Sequence, residues 1–177
     1  MARLRTNAVH HKCICTGQIF TFEEWCLWCK QHSSSEIVFE HNGFKFNIHD
    51  VCLTPNQPVN WKGKDCFFII STAQSPNGKW EYGLDYNFHF SGGCHACVFV
   101  DDMNRGFQNE RESIFEALKC LEEKCVREIT NNESRQEYDD WGNVVKMSSA
   151  IPNLKTALKQ ILKLKDVFDP HQLTLFE

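Results

Sequence analysis

The most regular pattern of apolar and polar positions lies between residues 66 and 90 and predicts a pair of antiparallel strands. Cys66 to Ile70 is a continuous apolar run, which is typical of a central strand buried on both faces. Turn residues follow from Ser75 to Gly78, and large apolar residues then occupy every second position from Trp80 to Phe90. Such an alternation places one face of the second strand against a core.

Shorter segments on either side extend this pair into a sheet. Asn42-Gly43 lies between two short segments rich in apolar residues and favours a tight hairpin turn. We expect Ser91-Gly92-Gly93 to turn the chain into a last short strand at Val98 to Val100. The segment from Thr54 to Lys64 contains two prolines and a glycine, and it predicts a connecting loop.

Three segments have the apolar spacing of amphipathic helices. The first begins with a capping box, in which Thr21 and Glu24 satisfy each other's backbone donors. The second begins near Asn109, and the third runs from near Pro152 to the stop at Asp169-Pro170. We therefore predict an α+β fold with a mostly antiparallel sheet of about five strands and helices packed on one face.

The length of 177 residues suits one compact domain. We expect this domain to span residues 1–168 and a flexible C-terminal tail to span residues 169–177. No apolar run approaches the ~20 residues that a membrane-spanning helix needs. The first residues lack the apolar core of a secretion signal, so we expect a cytoplasmic protein that does not bind membranes.

The net charge of −4 is unevenly distributed. Five lysines and no acidic residue lie between residues 144 and 165, which leaves 14 basic and 23 acidic residues elsewhere. On the predicted last helix, Lys155, Lys159 and Lys163 follow one another at intervals of four and share the outer face. Such a face can contact DNA phosphates, or it can simply keep the helix solvated.

Five residues after the last helix form an unusual apolar run for a chain end. Gln172, Leu173, Thr174, Leu175 and Phe176 resemble the pentapeptide by which bacterial replication and repair proteins bind the DNA sliding clamp. At average residue usage, such a match arises by chance at roughly 10⁻⁵ to 10⁻⁶ per position. The resemblance implies a bacterial sliding clamp as the partner. The alternative is that the apolar side chains of this run fold back as part of the core.

A second resemblance covers the body from Cys66 to Cys125. Gly78-Lys79-Trp80-Glu81-Tyr82-Gly83, then Gly92-Gly93, a phenylalanine and a capped helix are similar to small uncharacterised proteins of phages and mobile elements. This resemblance implies a genomic context and no activity.

Ten cysteines without a secretion signal predict thiols or metal ligands rather than disulfides. Two close pairs are candidate ligands of a structural zinc, and a further pair follows a glycine turn. The first set is Cys13, Cys15, Cys26 and Cys29, and the further pair is Cys94 and Cys97. Neither arrangement has a standard zinc-ribbon or zinc-finger spacing, so the alternative is that these cysteines are small buried residues.

Catalytic motifs are not evident in the sequence, which lacks a phosphate-binding glycine loop and a His-Glu-x-x-His pattern. Asp85, Asn87 and His89 share the polar face of one predicted strand, and His49 from another strand can join them. A row of this kind is most often the solvent face of a half-buried sheet. We therefore expect a protein that is not an enzyme.

The leading hypothesis is an accessory or inhibitory protein of a phage or mobile element. It would dock on the sliding clamp and modulate DNA replication, DNA repair or host defence, with a second host protein as a further partner of the acidic body. The alternative is a zinc-stabilised protein-binding module, such as an inhibitor of host defence, whose tail belongs to the core. A third hypothesis, a small nuclease delivered by the clamp, lacks a carboxylate motif.

Overall fold

The computed structural model of the protein describes residues 11–12, 17–98, 106–134, 137–138, 141–142, 144–145 and 150–171. The helices are α1 (Phe22–Gln31), α2 (Glu110–Ser134) and α3 (Ala150–Phe168). The strands are β1 (His11–Lys12), β2 (Ile19–Phe20), β3 (Phe39–His41), β4 (Phe44–Phe46), β5 (Asn56–Lys62), β6 (Cys66–Gln74), β7 (Trp80–Phe88), β8 (Ser91–His95), β9 (Glu137–Tyr138) and β10 (Val144–Val145). The predicted α+β class is confirmed.

Four strands form the main sheet, an antiparallel meander in the order β5-β6-β7-β8. The other six strands form three antiparallel pairs, β1 with β2, β3 with β4, and β9 with β10. Among the described helices, none is long and apolar enough to cross a membrane.

Helices α2 and α3 pack together against one face of the main sheet, as predicted. Phe68, Ile70, Leu84 and Phe88 of the sheet are buried against apolar residues of both helices, including the fully buried Leu121. These contacts form the main core, because every second residue of β6 and β7 points towards the helices.

A second, smaller core lies on the other face of β6. It contains Phe44 and Phe46 from β4 and Ala73 from β6, and Trp25 and Trp28 of α1 pack against it. The predicted capping box at the start of α1 is confirmed, with the Thr21 side chain accepting from Glu24 and the Glu24 side chain accepting from Thr21. The predicted hairpin is confirmed too, since Asn42 and Gly43 both have positive φ angles at its turn.

The chain passes from the main sheet to the second core just after β8, where Cys52 N donates to Cys97 O at 3.0 Å. At this point the backbone of residues 95–97 contacts Gly83 of β7. A Cβ atom on Gly83 would meet His95 O at 2.8 Å and Cys97 N at 2.9 Å, both backbone atoms. A glycine is therefore required here for close approach of two backbones.

The prediction of a loop from Thr54 to Lys64 is wrong, because residues 56–62 form the edge strand β5. Pro58 lacks an N–H group, but an edge strand can leave that group unpaired on its outer side. The register shifts between Asn56 and Val59, and Val59 then pairs with Ile70 and is buried. The shift accommodates the proline without ending the strand.

The prediction of a turn at Ser91-Gly92-Gly93 is also wrong, because these residues begin β8. The turn lies at His89 and Phe90, with His89 at a φ of 66°. Gly92 instead allows the backbones of β8 and β7 to approach closely, since a Cβ there would lie 3.0 Å from Tyr86 O. Of the expected last strand, Val98 bridges to Val51, and residues 99–100 lie outside the described residues.

The expectation that the apolar run of β6 is buried on both faces is only half correct. Phe68 and Ile70 are fully buried under the helices, whereas Phe67 and Ile69 on the other face are only partly buried. The second core covers that face around Ala73 and leaves the beginning of the strand uncovered.

Candidate functional site

The clamp-like run Gln172 to Phe176 lies outside the described residues. The chain leads towards it from the end of α3 at Phe168, through a turn in which His171 N donates to Asp169 Oδ1 at 2.9 Å. The structure therefore describes the point from which the run departs.

Arg111 of α2 holds that point in place. Its Nη2 group donates to Val167 O at 2.5 Å and to Asp169 O at 3.1 Å, and its Nε group donates to Asp169 O at 3.3 Å. Carbonyls at a helix C-terminus have no partner within the helix, and a cation there also interacts favourably with the negative end of the helix dipole. The end of α3 is thus tied to the beginning of α2.

The beginning of α2 is itself attached to the main sheet. Glu110 Oε1 accepts from Thr72 Oγ1 of β6 at 2.5 Å and from Asn56 Nδ2 of β5 at 3.0 Å. The predicted cap is confirmed as well, with Glu112 N donating to Asn109 Oδ1 at 2.9 Å. A continuous set of hydrogen bonds thus connects the sheet, α2 and the end of α3.

The three predicted phosphate-contacting lysines are exposed along α3. Lys155 Nζ lies 3.8 Å from Glu133 Oε1, which partly offsets its charge. The side chains of Lys159 and Lys163 make no ion pair or hydrogen bond with the residues that the structure describes. By contrast, Lys165 is half-buried, pairs with Glu122 and lies 5.8 Å from the centre of the Phe115 ring.

The candidate zinc ligands fall into separate environments. Cys26 and Cys29 are half-buried on α1, Cys94 is exposed on β8 and Cys97 is buried in the second core. In the described part of the chain, no three histidine, cysteine or acidic side chains are grouped so as to hold a metal ion. The other two candidates, Cys13 and Cys15, lie outside the described residues, so the zinc site stays a prediction.

Burial makes two of the free thiols unreactive. It raises the pKa of Cys97 to about 12, with a smaller contribution from the neighbouring Cys52. It likewise raises the pKa of Cys125 to about 12, with a smaller contribution from Cys66. Because the thiolate is the nucleophilic form of cysteine, both thiols are poor nucleophiles at neutral pH. Burial also raises the pKa of Cys29, ahead of the effect of Cys26.

The polar row on β7 is only partly brought together. Asp85 and Asn87 are exposed on β7, whereas His89 lies in the following turn with its ring 4.1 Å from that of Phe90. His49 instead packs its ring 6.2 Å from that of Trp25, at the second core. Within the described residues, no hydrogen bond joins His49 to the other three. The arrangement does not form an acid–base pair.

A cavity of about 280 Å³ on the uncovered part of the main sheet was not predicted from the sequence. Its lining comes from three neighbouring strands and comprises Asn60, Lys62, Phe67, Ile69 and Asp85. The alternation of polar and apolar residues from Asn60 to Lys62 indicated the strand that lines this cavity, but the prolines nearby favoured a loop.

Comparison with protein-family models, curated proteins and solved structures finds no match to this chain.

Proposed function

We propose that the protein docks on the bacterial DNA sliding clamp through Gln172, Leu173, Thr174, Leu175 and Phe176. In this role it acts as an accessory or inhibitory protein in DNA replication, DNA repair or host defence. The observation that carries the proposal is the order of these five residues, which has the Gln-Leu-polar-Leu-Phe pattern of clamp-binding peptides.

The chemistry of the run suits docking as an extended peptide. Leu175 and Phe176 supply the apolar contacts, and the Gln172 amide supplies oriented hydrogen bonds. Burying one leucine and one phenylalanine contributes about 1.5–3 kcal/mol each. After the entropic costs of association, a micromolar dissociation constant is the expected scale.

The described end of α3 supports the proposal by keeping the run close to the body. Only Pro170 and His171 separate Asp169, which is held by Arg111, from Gln172. The three Cα–Cα steps from Asp169 to Gln172 span at most ~11 Å, so a docked peptide would keep α3 beside the clamp. Because the clamp encircles DNA, the exposed Lys159 and Lys163 would then lie where they can reach phosphates.

The test is a binding titration of the purified full-length protein against purified sliding clamp, by calorimetry or surface plasmon resonance. We expect micromolar binding by the wild type and a loss of at least 100-fold for the double variant Leu175→Ala, Phe176→Ala. Thr174→Ser is the matched control within the run, since serine is a commoner third residue in such peptides, and it should bind at least as well as the wild type.

Urea denaturation of the same variants separates docking from the alternative in which the run belongs to the core. Docking predicts that the double variant changes the free energy of unfolding by less than about 0.5 kcal/mol, as for exposed sites. Undiminished clamp binding by the double variant would refute the proposal. A loss of several kcal/mol of stability would favour the core alternative.

A further inference from the structure

The uncovered part of the main sheet carries two apolar side chains that belong to neither core. Helices α2 and α3 cover one face of the sheet, and the second core covers the other face only around Ala73. Phe67 and Ile69 lie on that other face of β6 and remain partly exposed.

Strand register places polar side chains on both sides of these two residues. Lys62 of β5 pairs with Phe67, which pairs on its other side with Asn87 of β7. In the next row, Asn60 pairs with Ile69, which pairs with Asp85. Directly opposed residues of antiparallel strands point to the same face, so these side chains surround the apolar pair. We call this surface, comprising Asn60, Lys62, Phe67, Ile69, Asp85 and Asn87, the open face.

The polar groups of the open face are available to a ligand. Asn60, Lys62, Asp85 and Asn87 are exposed, and their side chains make no hydrogen bond or ion pair with the described part of the protein. The open face therefore combines an aromatic side chain, a cation, two amides and one carboxylate whose polar groups have no side-chain partner among the described residues.

We propose that the open face binds single-stranded DNA, with a base stacked on Phe67. A base offers a flat π-face for the phenyl ring and an edge of donors and acceptors for amide and carboxylate groups. Lys62, which lines the cavity and is exposed, would contact a backbone phosphate. The cavity of about 280 Å³ opens to solvent and lies on a sheet surface, where an unpaired base can lie flat.

Two other ligand classes fit the open face less well. A stable protein interface buries about 800 Å² on each partner and has an apolar centre, and the open face offers only two apolar side chains. Duplex DNA keeps its bases stacked in the helix, so the Phe67 ring would have nothing to stack on. The open face contains no residue of the tail, and the proposed binding there does not depend on clamp docking.

The test is fluorescence anisotropy of the full-length protein with a labelled 12-nucleotide single strand, in the absence of clamp. We expect binding by the wild type and a weakening of roughly 5- to 150-fold for Phe67→Ser, the range seen for the loss of one stacked base. Phe67→Tyr keeps a ring and should bind as the wild type does. Lys62→Gln should weaken binding and reduce the slope of log affinity against log salt by about 0.7.

Two controls make the outcome decisive. Arg127→Gln removes one exposed positive charge from α2, on the opposite face of the main sheet, and should leave single-strand binding nearly unchanged. Circular dichroism and a urea titration establish that each variant is folded, and Asn87→Ala provides a second probe of the open face should Phe67→Ser unfold.

The proposal is overturned if the wild type does not bind the single strand, or if Phe67→Ser and Asn87→Ala bind as tightly as it does. Equal affinity for a 12-base-pair duplex would also overturn it. Deletion of residues 172–177 should leave this binding intact, so that failure here and failure of clamp docking are told apart.

Discussion

At the scale of single residues, the cysteines differ in burial and therefore in reactivity. Cys26 with Cys29 and Cys94 with Cys97 form two pairs of the same spacing, with two intervening residues each. The structure distinguishes them by burial, since Cys94 is exposed and Cys97 is only 1% exposed. Burial depends on contacts between distant segments, such as that of Cys97 with Cys52, and these are not encoded in local spacing.

The buried thiols predict that stability falls in alkaline solution. The pKa of Cys97 and of Cys125 is raised from 9.0 in the unfolded chain to about 12 in the folded protein. Between these values the unfolded chain releases protons that the folded protein retains, so the free energy of unfolding decreases as pH rises. Their stabilising effect is complete below pH 9 and is lost progressively above it. Urea denaturation at intervals from pH 8 to pH 11 should show this decline.

Single substitutions separate the thiols from other groups that titrate in this range. Cys125→Ala should lower stability at pH 8 through lost packing, but its stability should fall less steeply with pH than that of the wild type. Cys94→Ala changes an exposed thiol and should leave the steepness unchanged. A slope that is the same in all three proteins would contradict the assignment.

At the scale of elements, helix starts were predictable and helix attachments were not. The capping box at Thr21 and the cap at Asn109 use side chains within four residues of the group that they satisfy, so sequence alone reveals both. Arg111 caps the end of α3 from 56 to 58 residues away. Such a contact exists only once α2 and α3 pack together, and no local sequence pattern predicts it.

Arg111→Ala should therefore weaken the end of α3 specifically. Its guanidinium group makes three hydrogen bonds to two carbonyls, and hydrogen bonds to charged groups contribute about 1.5–3 kcal/mol each at most. Because these bonds share donors and are partly exposed, we expect a total loss of about 1–2 kcal/mol in urea denaturation. Hydrogen exchange should accelerate in the last turn of α3.

Arg127→Ala is the matched control for this prediction. Arg127 is an exposed arginine on the same helix and makes no ion pair or hydrogen bond with the described residues. Its removal should change stability by less than about 0.5 kcal/mol. Equal effects of the two substitutions would show that the contacts of Arg111 do not stabilise the end of α3.

At the scale of the whole molecule, the main sheet separates two cores of unequal size. The class, the central hairpin and the three helices followed from apolar periodicity, because a helix or a strand with one buried face carries its own period. Apolar periodicity did not predict the edge strand β5. It also did not predict that the second face of the sheet is covered in one part and open in another. Both features depend on which distant segments pack against a strand, and the sequence of the strand itself does not determine those contacts.

The two cores should differ in how readily they open. In the described residues, the main core has sixteen buried residues, whereas the second core has six and is covered by the short helix α1 and the β3–β4 hairpin. Fewer buried contacts make local opening less costly. We expect Phe46→Ala, which removes a fully buried ring from the second core at a cost of about 3–5 kcal/mol, to increase hydrogen exchange in α1 and β3–β4. Amides of α2 and α3 should keep most of their protection.

Leu121→Ala, in the main core, is the matched comparison for Phe46→Ala in the second core. The main core takes its residues from β5, β6, β7, α2 and α3, and the second core packs on the other face of β6, so this substitution should lower protection in both layers together. Mass spectrometry of exchanging peptides resolves the two patterns. If Phe46→Ala accelerates exchange in α2 and α3 as much as in α1, the molecule opens as one cooperative unit and the second core is not a separate layer of stability.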